Sequence, residues 1–258
     1  MDAGRSATRD DDDQLVELLG LIEGADSVEL KLTVPGADRR ETLEALGVDP
    51  LDSVLRQVYF FDTPGLDLEG AGLVVRARRT QGKPDDSVMK LRPVVPAALP
   101  EAVRAEEMFG VEVDAMPGGF VCSGSFKGKL EPGRVKDTLA NRRPLKRLFS
   151  KPQRAFFAEH APGGVGLDDL AVLGPVHVLK VKFDPAGFGS RMVVELWFYP
   201  DGSQILELST KCAPSEAFDA AARSRAFLHE RGVDLSGEQR TKTRAALEFF
   251  AGELAEAR

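Results

Sequence analysis

The feature that most restricts this chain is an alternation of polar and apolar residues that recurs in at least six separate segments. In SVELKLTV (27–34), Ser27, Glu29, Lys31 and Thr33 share one side of an extended strand and Val28, Leu30, Leu32 and Val34 the other. That period of two marks a strand with one apolar and one polar face. LVVRARR (73–79) sets Arg76 and Arg78 on one face, SVMKLRPV (87–94) Lys90 and Arg92, and HVLKVKF (177–183) Lys180 and Lys182. RMVVELWFY (191–199) isolates Glu195, and ILELSTK (205–211) aligns Glu207, Ser209 and Lys211. YPDGSQ joins the last two segments and predicts a hairpin across 191–211. Glu195 precedes Glu207 by 12 residues, which suits facing positions on its two arms. VYFFDTP (58–64) and the region around 106–115 read as weaker strands.

The period alone leaves two arrangements open. A sheet can turn its charges to water and its aliphatics to a core. Alternatively it can close into a barrel, gather the charges inside, and cover its apolar exterior with helices. Helical signals lie at 14–22, 39–47 and 213–232, and in a last helix that starts at a Ser236 cap and carries Leu247, Phe250 and Leu254 on one face. The Gly- and Ser-rich stretch 114–133 reads as a loop, and DTPG (62–65) as a turn. Residues 1–13 are expected to be a disordered acidic tail before a single domain, 14–258.

Charge and spacing remove several classes of function. A net charge of −7 disfavours a general nucleic-acid binder. His160, His177 and His229 form no zinc spacing, and Cys122 and Cys212 no cysteine motif. Without a membrane-length apolar run or a signal sequence, cytoplasm is the expected location and no membrane partner is expected. Any metal would be held by carboxylates, which suits Mg2+ or Mn2+.

VYFFDTPGLDLEGAGLVVRARR (58–79) resembles the Y-F-D-T…L…G-x-x-L-R-x-R signature of the CYTH superfamily, the triphosphate-tunnel proteins that include class IV adenylyl cyclases and thiamine triphosphatases. SVELKL, VMKLRP, ILELSTK and EQRTKTRAAL (238–247) resemble further family segments in the same order. The resemblance implies an α+β fold: a closed, antiparallel, eight-stranded barrel with helices outside. It implies a triphosphate or polyphosphate ligand bound by Lys31, Arg76, Arg78, Lys90, Arg154 and Lys242, with Arg92, Lys180 and Lys182 added by strand parity. It implies a metal held by Glu29, Glu195 and Glu207, with Glu29 or Glu195 polarising the attacking water. The implied activity is metal-dependent hydrolysis of inorganic, thiamine or nucleoside triphosphate, with cyclic AMP formation or non-catalytic sensing as alternatives. Ser27 and Ser209 stand where the family pattern has glutamates.

Overall fold

The computed structural model describes residues 16–234 and 242–256. The acidic tail and the Ser236 cap lie outside the described residues. Nine strands run β1 (Ser27–Val34), β2 (Val54–Asp62), β3 (Leu73–Thr80), β4 (Asp85–Leu91), β5 (Phe109–Met116), β6 (Gly119–Leu130), β7 (Ala171–Phe183), β8 (Met192–Phe198) and β9 (Gln204–Cys212). The helices are α1 (16–23), α2 (Arg39–Ala45), α3 (Asp67–Gly70), α4 (Glu101–Arg104), α5 (Arg134–Ala140), α6 (Lys151–His160), α7 (Ala217–Glu230) and α8 (Lys242–Glu256).

The strands close in the order β1-β5-β6-β4-β3-β2-β7-β8-β9. Closure is as expected, but the barrel is mixed and nine-stranded, not antiparallel and eight-stranded. β1 pairs in parallel with β5 through Ser27↔Glu112 and Glu29↔Asp114. Every other pairing is antiparallel.

The extra strand comes from the segment that reads as a loop. Residues 114–133 complete β5 and form the 12-residue β6, with only a tight turn at Pro117 and Gly118 between them. Their glycines mark close approach, not flexibility. A Cβ on Gly124 would lie 2.7 Å from the Phe109 ring, and one on Gly128 would lie 2.6 Å from both Gln153 Oε1 and Ser87 Oγ. Both spacings are tighter than atoms tolerate, so the strand admits its neighbours only where side chains are missing.

The apolar faces point outward and are buried by helices. Val75, Ala77, Met89 and Phe126 pack beneath Val135 of α5 and Phe156 and Phe157 of α6. Leu32, Val194 and Leu208 pack beneath Phe227 and Leu228 of α7. Gln153 locks α6 in place. Its side chain accepts from the Ser150 N–H at 2.9 Å in a capping box, then donates to the Ser87 and Phe126 carbonyls on the barrel. One end of the barrel is closed by α8, whose Ala246 and Leu247 pack on Val58, Phe60, Val74 and Trp197. Asp62 accepts N–H groups from Thr63, Leu68 and Glu69, so DTPG is a turn that starts α3. Among the described residues no helix is long and apolar enough to cross a membrane.

Candidate functional site

With the aliphatics outside, the charges converge on a cavity of about 180 Å³ within the barrel. Glu29 and Lys31 line it, and so do Arg76 and Arg78, Lys90 and Arg92, Lys180, Glu195, Glu207 and Lys242. A larger cavity, about 430 Å³, lies between α7 and the outer side of β1 and β9. It is mostly apolar and gathers no cluster of charges, so the chemistry belongs to the smaller one.

The tunnel charges divide into two nests. In the first, the hairpin sets Glu195 directly opposite Glu207, a repulsive cross-strand pair. Lys242 at the start of α8 relieves it by bonding both carboxylates, Glu207 at 2.6 Å. Glu195 also accepts from Lys180 at 2.6 Å, Arg56 at 3.4 Å and the Trp197 indole at 3.3 Å. Burial pushes the Glu195 pKa upward, but Lys242 and Lys180 overcome it and hold the carboxyl well below its usual range.

The second nest joins β1 and β5. Asp114 is bound by Lys31 at 2.7 Å and Lys90 at 3.0 Å, and Lys31 also reaches Glu29 at 3.1 Å. Burial opposes ionisation of Asp114, yet the two lysines hold its pKa below the normal carboxylate value. Burial likewise disfavours the Lys31 ammonium, but Asp114, Glu29 and Glu207 raise its pKa overall. At Lys90 the balance reverses: burial wins and lowers the pKa despite Asp114. Ligand oxygens of Glu29, Glu112 and Asp114 lie within 4.8 Å of one another. Ser27, where the family pattern places an acid, donates to Glu112 at 3.5 Å. A carboxylate is therefore present beside that position, supplied by the neighbouring strand.

Arg76 sits between the nests. Among the described residues no carboxylate is within ion-pair distance of it, and its buried Nε has no hydrogen-bond partner. Burial and the neighbouring Arg78 bring its pKa down to about 10. Arg78 is bound to Asp86 at 2.7 Å, and Arg92 lies 3.7 Å from Glu69.

No family model and no curated protein sequence matches the chain. Two solved structures share its architecture. A candidate adenylyl cyclase from Hippeastrum, described with a dominant triphosphatase activity, superposes with a TM-score of 0.58 at 18% identity, covering 82% of this chain and 91% of its own. A candidate adenylate cyclase from Bacillus halodurans gives 0.59 at 12% identity, covering 85% and 97%. The chain shares the fold of these two proteins.

The tunnel gathers most of the residues singled out from the sequence, with two exceptions. Arg154 is exposed on α6 and donates to the Phe149 carbonyl at 2.6 Å. Its neighbour Gln153 faces the barrel, so helical geometry turns Arg154 to solvent. Lys182 has the parity of Lys180 but is exposed near the end of β7 and does not line the cavity. The three expected metal ligands are also divided, because Glu195 and Glu207 belong to the Lys242 nest and Glu29 to the other. Arg56, Glu112 and Asp114 escaped the sequence reading. In GVEVDA the two acids stand two residues apart, the spacing of Glu29 and Lys31, and that was the available signal. Trp197 lines the tunnel, with the Lys242 ammonium 5.0 Å from its ring.

Proposed function

We propose that this protein binds a triphosphate inside the tunnel and hydrolyses it with Mg2+ or Mn2+. The observation that carries the reading is Arg76. Two adjacent inward arginines, one without a counter-charge, are costly unless a polyanion completes them. A guanidinium offers forked donors to phosphate oxygens, while Lys31, Lys90 and Lys242 supply movable point charges on either side. The architecture shared with a protein of dominant triphosphatase activity supports the same conclusion.

The residues fit a hard divalent cation at Glu29, Glu112 and Asp114, an all-oxygen donor set of the right compactness. When bound, such an ion neutralises phosphate charge and polarises a phosphoryl oxygen. Glu195 has both oxygens occupied by Lys180, Arg56, Lys242 and Trp197, and is held ionised. We assign it to positioning those cations and not to proton transfer. Glu29, whose side chain is 25% exposed and engages one lysine, orients the attacking water. The cations position the chain and stabilise the leaving phosphate.

Water is favoured over a ribose hydroxyl as nucleophile because Trp197 is engaged on its edge by Glu195 and over its ring by Lys242, so it is not free to stack a base. The test is a panel of tripolyphosphate, thiamine triphosphate and ATP with Mg2+ or Mn2+, scoring free phosphate and cyclic nucleotide. Phosphate release from tripolyphosphate is expected. Cyclic product from ATP, or tight binding with no turnover on any substrate, refutes the hydrolase reading.

A further inference from the structure

The carboxylates that fit a divalent cation already carry counter-charges from the chain itself. Lys31 holds Glu29 at 3.1 Å and Asp114 at 2.7 Å, and Lys90 holds Asp114 at 3.0 Å. Glu112 is held by Lys211, its only ion-pair partner among the described residues. Three acids thus meet three ammonium groups, and a cation entering the set competes with all of them. The three lysines are not equivalent, however. Lys31 and Lys90 line the cavity, so phosphate oxygens arriving there can take over their ammonium groups and leave Glu29 and Asp114 to the metal. Glu112 lines the cavity too, but Lys211 does not, and its side chain is 51% exposed. A phosphate in the tunnel therefore leaves the Glu112–Lys211 pair intact.

Strand order accounts for a lysine that holds an acid two strands away. Lys211 on β9 stands directly opposite Glu29 on β1, and Glu29 stands beside Asp114 on β5. Glu29 is already bonded to Lys31, so the Lys211 side chain crosses β1 and donates to Glu112. Neighbouring strands lie about 4.8 Å apart, so this crossing needs the long stem of a lysine. β1 permits it at Ser27, which is in register with Glu112 and donates to the same carboxylate oxygen at 3.5 Å. A hydroxyl brings no charge, so the ionic partner of Glu112 is Lys211.

We propose that Lys211 is an internal competitor of the divalent cation, a positioning residue that draws Glu112 toward itself and so sets the metal affinity of Glu29, Glu112 and Asp114. A carboxylate shared with an ammonium gives less to a metal ion, whichever oxygen the ion takes. This inference rests on the placement of the metal at those three acids and gives a role to a lysine outside the cavity.

The experiment titrates Mn2+ into the full chain at fixed pH and ionic strength, free of phosphate, and follows the unbound ion by electron paramagnetic resonance. Lys211→Met is expected to bind Mn2+ about fivefold more tightly than the wild type, the upper range for an ion pair at a half-exposed lysine. Lys211→Arg keeps the charge and should stay close to the wild type. Lys182→Met removes an exposed lysine that does not line the cavity, and it controls for the overall charge. In a Glu112→Gln background, Lys211→Met should bring no gain, because the acid it frees is gone. The proposal is overturned if Lys211→Met binds Mn2+ no more tightly than the wild type, if Lys182→Met matches its gain, or if the gain persists without Glu112. Wild-type Mn2+ binding that survives Asp114→Asn would instead defeat the placement of the metal, and this inference with it.

Discussion

Replacing Arg76 by methionine should make the ligand-free protein more stable and the ligand-bound protein unobtainable. Methionine keeps most of the side-chain volume and removes a charge that no described carboxylate pairs with. The pKa of Arg76 falls from its ordinary value to about 10, chiefly through burial and Arg78. A base with a lowered pKa in the folded state destabilises that state at neutral pH, and the penalty is relieved only as pH rises through about 10. The displacement corresponds to about 3 kcal/mol at 1.36 kcal/mol per pH unit, an upper bound because water and counter-anions enter the tunnel. For a chain of this size each kcal/mol moves Tm by about 2–4 °C, so Arg76→Met should raise Tm, by at most about 6–12 °C, in buffer free of phosphate and sulfate. Tripolyphosphate at a hundred times its Kd should stabilise the wild type by about 2.7 kcal/mol and leave the variant unmoved. Thermal unfolding with and without the ligand reads both effects. A variant that melts below the wild type without ligand, or that retains the ligand-induced shift, refutes the idea of a cation awaiting an anion.

Asp114→Asn should abolish Mn2+ binding followed by electron paramagnetic resonance, whereas Glu207→Gln should retain it; the reverse outcome would return the metal to the β8–β9 hairpin. Glu195 has a lowered folded-state pKa, so its contribution to stability is present above the unfolded value of 4.5 and lost as pH falls below it. Glu195→Gln should therefore flatten the acid limb of the stability curve. It should also cost about 3–5 kcal/mol at neutral pH by leaving Lys180 and Lys242 short of a partner, checked by urea unfolding across that pH range.

The sequence carried its faces plainly. A side chain's side of a strand follows from parity, so Arg76 with Arg78, Lys90 with Arg92 and Glu29 with Lys31 could each be placed together before any tertiary contact was known. The β8–β9 register was legible for a similar local reason: a short turn fixes which residues oppose, and Glu195 faces Glu207 as the spacing implied. Parity says nothing about how far along the barrel a residue lies, which is why Lys180 lines the cavity and Lys182 does not. Nor could composition distinguish a glycine that bends a loop from one that admits a neighbour. Gly124 and Gly128 belong to a strand because Phe109 and Gln153 occupy the space their side chains would need.

What the amino-acid order determined by itself was the set of charged faces and the local turns, because both depend on neighbours within a few residues. Which charges meet was decided only by tertiary closure. The parallel β1–β5 pairing brings Glu29 beside Asp114, 85 positions after it in the chain, and α8 returns Lys242 to bridge two carboxylates on another hairpin. Such contacts are set by strand order and helix docking, which local periodicity does not encode.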